Sequence, residues 1–169
     1  PILDEGSCGS TYAFSAIDST EAQWFIKTGK LVSLSVQAIV DCSGKYGNMG
    51  CNGGFMDYCF AYMKDNGIPI ASDYPYKAVT EPCKQFTPAF KLTGYIDVAK
   101  GDTDALKAAA VFTVVLVAVD ATRLWQYQSG IFTGDCGTSI NHAMSVVGYG
   151  IENSTPYWIL RNQWGTKWG

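Results

Sequence analysis

The chain is poor in charge. Asp, Glu, Lys and Arg make up 16% of its 169 residues and the formal net charge is -3, so it lacks the dense positive field that holds phosphate backbones or acidic membrane surfaces. Nucleic acid is not expected as a partner. Long hydrophobic runs are also missing: the longest, Val114 to Val119, falls far short of the roughly 20 residues needed to span a bilayer and has the length of a buried strand. Membrane insertion is not indicated. There is a single histidine, His142, and no Cys-x-x-Cys pair among Cys8, Cys42, Cys51, Cys59, Cys83 and Cys136. A tetrahedral zinc cluster needs four convergent Cys or His ligands, so this distribution argues against one, and no metal or other cofactor is expected. An initiating methionine and a signal sequence are absent too. The chain starts at Pro1 and stops within Trp164-Gly165-Thr166-Lys167-Trp168-Gly169, and it reads as truncated at both ends.

What is present is apolar and aromatic. At 47% apolar and 14% aromatic composition, the chain can bury the core of one large or two small lobes. Six cysteines that do not fit a metal site are better read as disulfides, which places the protein in an oxidising compartment. Asn153-Ser154-Thr155 is an N-glycosylation sequon and fits a secretory route.

The first half reads as helical. Ser10 is positioned to cap a helix running to Thr28, where Gly29 supplies the stop and Lys27 sits near the negative end of the dipole. Ala13, Ile17 and Trp24 share helical spacing, and Phe14, Ala16 and Phe25 extend the apolar surface around the cylinder, so this helix is expected to run through the interior. Shorter helices are expected over Ser35 to Val40 and over Met56 to Asp65, the latter ended by Asn66-Gly67. From Lys91 onward the character changes. Tyr95 to Val98, Val114 to Val119, Ala143 to Tyr149 and Tyr157 to Arg161 are short runs rich in β-branched and aromatic residues and read as strands. The alanine-rich surroundings of Lys107 read as a helical interruption, and Gly148, Gly150 and Pro156 as turn positions. The expectation is an α+β fold with a mainly helical part over residues 1–94 and a β-rich part over residues 95–169.

The chemistry concentrates at one motif. Cys8-Gly9-Ser10-Thr11-Tyr12-Ala13-Phe14-Ser15 resembles the Cys-Gly-Ser-Cys-(Trp/Tyr)-Ala-Phe-Ser signature of the papain and cathepsin family of cysteine proteases, with threonine in place of the second cysteine. His142 follows Thr11 by 131 residues and Asn162 by 151, close to the family spacing of about 130–150. Further landmarks similar to the cathepsin L-like branch are Val40-Asp41-Cys42-Ser43, Cys51-Asn52-Gly53-Gly54, Tyr74-Pro75-Tyr76, Ser129-Gly130-Ile131-Phe132, Asn141-His142-Ala143 and Asn162-Gln163-Trp164-Gly165.

That resemblance implies a papain-like two-lobe fold, helical on one side and β-barrel-like on the other. It implies disulfides Cys8 with Cys51 and Cys42 with Cys83, leaving Cys136 for a cysteine outside the sequence and Cys59 as a buried free thiol. It puts Thr11 at the nucleophile position, His142 as the base, Asn162 as its orienting partner and Trp164 as the roof over them. Glu5 falls where the family has its oxyanion-hole glutamine. Gly53 and Gly54 are expected to offer backbone groups to an extended peptide, and Met56 and Ala143 to line an apolar side-chain pocket.

Thr11 changes the expected activity. A thiol with a pKa of roughly 8.5 is readily ionised at a helix start beside an imidazole; an aliphatic hydroxyl is not. Threonine nucleophiles rely on a chain's own terminal amine as base, and Thr11 lies ten residues into the sequence. The expectation is a catalytically impaired papain-like protein that binds a peptide or protein partner or serves as a structural component of an assembly, in the secretory pathway, a lysosome or vacuole, or outside the cell. The alternative is an endopeptidase: a weak hydrolase using Thr11 and His142, or an engineered inactive variant.

Overall fold

The computed structural model describes residues 2–169. Four α-helices come first: α1 (Thr11–Thr28), α2 (Val36–Cys42), α3 (Met56–Asn66) and α4 (Thr103–Ala110). They are followed by β1 (Val115–Val119), β2 (His142–Glu152) and β3 (Thr155–Arg161). These strands form one antiparallel sheet with β2 in the middle. Val119 lies opposite His142 in the first pairing, and Ser145 opposite Arg161 in the second.

The first half of α1 is the axis of the core. Tyr12, Ala13, Phe14, Ala16 and Ile17 are buried, and they pack with Ile39 and Val40 of α2, Tyr62 and Met63 of α3, and Leu34, Ile68 and Tyr74 from the loops. The second half of α1 departs from the expected interior course. Phe25 is 46% exposed and Ile26 59%, because α2 and α3 pack only along the helix's first turns. Gly29, at φ 68°, ends α1 with its N–H on the Phe25 carbonyl, the left-handed stop that glycine adopts without steric cost.

Ser10 precedes α1 but does not cap it with its side chain. Its hydroxyl instead meets the Tyr76 hydroxyl at 2.7 Å and the Cys8 carbonyl at 3.2 Å, so a tertiary contact outcompetes the local one. Ser35 does cap α2, accepting the Ala38 N–H at 3.0 Å. Disulfides join Cys8 to Cys51 and Cys42 to Cys83. Cys59 is a buried free thiol held against the Tyr12 carbonyl and the Asn48 amide; Cys136 is free and exposed.

Two strand-region expectations are corrected. Residues 95–98 are not a strand: they run as irregular backbone with Ile96 95% exposed, since no strand among the described residues lies alongside to take up their backbone groups. Gly148 and Gly150 lie inside β2 and Pro156 inside β3, whereas the turn itself is Asn153-Ser154, both at positive φ (47° and 64°), as a tight hairpin requires. Gly150 is a packing position, where a Cβ would come within 2.5 Å of the Tyr157 hydroxyl across the strand pair.

Candidate active site

The three residues singled out as nucleophile position, base and orienting partner sit at the ends of secondary structure elements. Thr11 opens α1, His142 opens β2, and Asn162 follows the last residue of β3. Packing of α1 against β2 brings them together: the Ala143 N–H donates to Thr11 Oγ1 at 3.2 Å. One lone pair of the Thr11 hydroxyl is therefore engaged by the strand that carries the histidine.

His142 is nearly buried, at 9% exposure. Its Nε2 lies 2.7 Å from Asn162 Oδ1, which commits that nitrogen to the asparagine and leaves Nδ1 for whatever lies across the cleft. The Trp164 ring packs at 4.8 Å between centroids. Burial pulls the imidazole's pKa below the usual histidine value, and the Asn162 hydrogen bond offsets only part of that pull. The ring is thus neutral at pH 7, without the charge that a partner thiolate would stabilise.

Glu5 is 8% exposed and both its carboxyl oxygens are occupied. Trp164 Nε1 donates to Oε1 at 3.1 Å and the Ser10 N–H to Oε2 at 3.2 Å. Desolvation by burial raises its pKa from 4.5 to about 7, against the lowering effect of the hydrogen bonds from Trp164, Ser10 and Thr11. Between pH 4.5 and 7 the folded chain therefore holds a proton that the unfolded chain has released, so Glu5 makes folding progressively less favourable as pH rises through that window.

The glycine pair lies in the loop before α3, where the Gly53 carbonyl accepts the Met49 N–H at 2.9 Å. Gly53 has φ 105° and free space where a Cβ would stand, whereas a Cβ on Gly54 would strike Asn48 Oδ1 and the Tyr12 ring. Asn48 Oδ1 is held there by the Phe55 N–H at 2.9 Å. Met56, at the start of α3, lines a cavity of about 1040 Å³ between α1, α3, β1 and residues 90–103. Ala143 does not line it; that residue is buried beneath Thr11 instead. Trp168 packs edge-on against Trp164 at 5.1 Å and donates to the Leu124 carbonyl at 2.8 Å, bracing the roof from outside.

Sequence reasoning missed the polar network behind the site. Thr11, Ser15 and Asp18 recur at helical spacing on the face of α1 turned to the sheet: Thr11 meets Ala143 and Asp18 meets Ser145 Oγ (3.0 Å) and Arg161 Nη1 (2.8 Å) of the strands, while Ser15 meets Gln163 Nε2 (3.5 Å) just beyond β3. The signal was available. A carboxylate two turns along from Thr11, next to Ile17 in the apolar first half of the helix, requires a partner if it is buried, and Arg161 directly precedes Asn162.

Comparison with known proteins adds a lineage to this geometry. The family model described as "Papain family cysteine protease" matches residues 1–169. The Germination-specific cysteine protease 1 of Arabidopsis thaliana is 49% identical over all of this chain and 46% of its own length. A cathepsin L-like peptidase of Aedes aegypti is 47% identical over all of this chain and 52% of its own. The chain spans about half the length of the curated relatives it matches. Among solved structures, the bromelain protease from Ananas comosus, in complex with the E64 inhibitor, superposes with a TM-score of 0.93 at 36% identity, covering 99% of this chain and 79% of that one. Digestive procathepsin L 3 of Tenebrio molitor larval midgut gives 0.95 at 42% identity, covering 99% and 57%.

Proposed function

This chain belongs to the papain family of cysteine proteases, with the papain-like fold, and from that premise we propose that it is a cathepsin L-like member whose nucleophile cysteine is replaced by Thr11 and which acts by binding peptide or protein and not by cleaving it. The observation that carries this reading is the state of Thr11: an alcohol at the first turn of α1, its oxygen tied to the Ala143 N–H, beside a neutral imidazole. A helix start favours an anion by about a kcal/mol, far too little to ionise an alcohol. The oxyanion position supports the same conclusion. A glutamine there donates a hydrogen bond to developing negative charge; ionised Glu5 only accepts, and one lost donor of this type costs ~2.7–4 kcal/mol of barrier.

Binding needs none of this. In this reading the groove runs between a helical part, residues 1–94, and a β-rich part, residues 95–169, with Gly53, where space stands free at the Cβ position, at its edge. An extended segment pairs with such backbone through main-chain hydrogen bonds, with side-chain pockets adding selectivity. Fluorogenic peptide substrates are expected to stay at the uncatalysed rate with the unmodified protein, with or without a thiol alkylator, while titration calorimetry detects extended peptides at micromolar Kd. Turnover that survives alkylation would overturn the reading, and inert protein without peptide affinity would leave only the assembly role.

We place the protein in the secretory route. The disulfides Cys8–Cys51 and Cys42–Cys83 support an oxidising compartment, and Asn153 stands exposed at the tip of the β2–β3 hairpin. Protein expressed through a eukaryotic secretory pathway is expected to lose apparent mass on enzymatic deglycosylation, and the Asn153→Gln variant to run at that lower mass without treatment. A native protein whose mobility does not change on deglycosylation would contradict it.

A further inference from the structure

The cleft carries a carboxylate in a place that a reaction of this family keeps for the substrate's negative charge. Glu5 Oε2 receives the Ser10 N–H and Oε1 the Trp164 indole N–H, and the Thr11 N–H also favours its ionised form. These donors surround the start of α1, where the dipole and unpaired backbone groups favour an anion. The entry loop is fixed as well: the Glu5 N–H donates to the Gln163 carbonyl at 2.9 Å, and the Glu5 carbonyl accepts from the Tyr76 hydroxyl at 2.8 Å. The residue is therefore held at its backbone on both sides and at both carboxyl oxygens. We propose that Glu5 is a built-in anion at the oxyanion position, and that a single proton on its carboxyl changes its hold on the Trp164 indole and on the start of α1.

That proton bears on Trp164. A carboxylate accepts two N–H groups strongly; a carboxylic acid keeps one carbonyl acceptor, and its hydroxyl oxygen accepts weakly. Gaining the proton therefore loosens either the indole or the start of α1, and the indole belongs to the ring packed on His142. Other ionisable groups face Glu5 from each packed element: Asp4 next to it in the entry loop, Tyr76 from the loop after α3, and His142 behind Trp164 on β2. Asp4 opposes ionisation of Glu5. The raised value, about 7, puts the change within the physiological range.

This inference deepens the reading of a disabled cleft and rests on it for significance, yet its test does not depend on catalysis. The Trp164 indole N–H resonance of the ¹⁵N-labelled full chain is followed from pH 5 to 9, with the ring C–H resonances of His142, the only histidine, reporting that group separately. The indole proton is expected to move with a midpoint near 7, distinct from the His142 midpoint. Glu5→Gln is expected to abolish the movement and Asp4→Asn to shift its midpoint downward without removing it. An indole resonance that stays flat across the range, or one that tracks His142 alone, overturns the proposal even if Glu5→Gln fails to fold. Native turnover through Thr11 would defeat the disabled-cleft reading while leaving this titration intact, so the two failures are distinguishable.

Discussion

The double variant Thr11→Cys, Glu5→Gln is expected to hydrolyse fluorogenic peptides at least about 10⁴-fold faster than the unmodified protein, since loss of the nucleophile from such a unit costs about 10⁶ in turnover and reinstatement in an imperfect cleft recovers part of it. The remaining parts of the unit are already assembled: His142 bonded to Asn162 at 2.7 Å, and Trp164 packed on the imidazole. A cysteine at position 11 would give the imidazole an ionisable partner, and the resulting pair would raise the pKa of His142 that burial now depresses. Thr11→Cys alone is expected to lag the double variant by about 10²–10³ at pH 8, where Glu5 is ionised, the magnitude of one missing oxyanion donor, and to narrow that gap as pH falls below 7. Rates are read from initial velocities against active-site-titrated enzyme. A double variant that folds, binds peptide and remains at background would show that the cleft is blocked by something other than these two side chains.

Removing the guanidinium of Arg161 is expected to cost about 3–5 kcal/mol of folding stability, because it strands the Asp18 carboxylate at 5% exposure between α1 and the sheet. Burial already raises the Asp18 pKa, and Arg161 is the largest influence holding it down. The Arg161→Met variant should therefore unfold at lower urea than the parent, with the loss shrinking as pH is lowered and Asp18 becomes neutral. Combining it with Asp18→Asn should restore part of the loss, since an uncharged pair no longer leaves a buried charge uncompensated. Equal midpoints for parent and single variant would mean that the ion pair does not hold the sheet on α1.

The parts legible in sequence were those written in local chemistry or in spacing. Gly29 ending α1, the short helix after Leu34 and the β-branched run of β1 each carry their own signal, and the separations of His142 and Asn162 from Thr11 match a family pattern. What escaped was decided by distant partners. Ser10 has every local qualification of a cap, yet its hydroxyl is taken by Tyr76, 66 residues away. Residues 95–98 have the β-branched and aromatic content of a strand, but composition cannot say whether a neighbouring strand exists to receive their hydrogen bonds. Gly148 and Gly150 look like turn glycines until Ile159 and Tyr157 are seen across the ladder. Likewise, the position of Glu5 was readable from its distance to Cys8, whereas its occupation by two donors was not.

The two disulfides close loops spanning residues 8–51 and 42–83, and those loops overlap. Each removes about 4 kcal/mol of disorder from the denatured chain on a chain-entropy estimate, less when loops share residues. Denaturation therefore acts on an asymmetric object: one half keeps α1, α2 and α3 within reach of one another even when melted, whereas neither of these two cross-links reaches the strands β1 to β3. The three-stranded sheet, fastened to α1 at Thr11 and Asp18, lies outside both loops, and its detachment would dismantle the cleft while the helical core stays tethered.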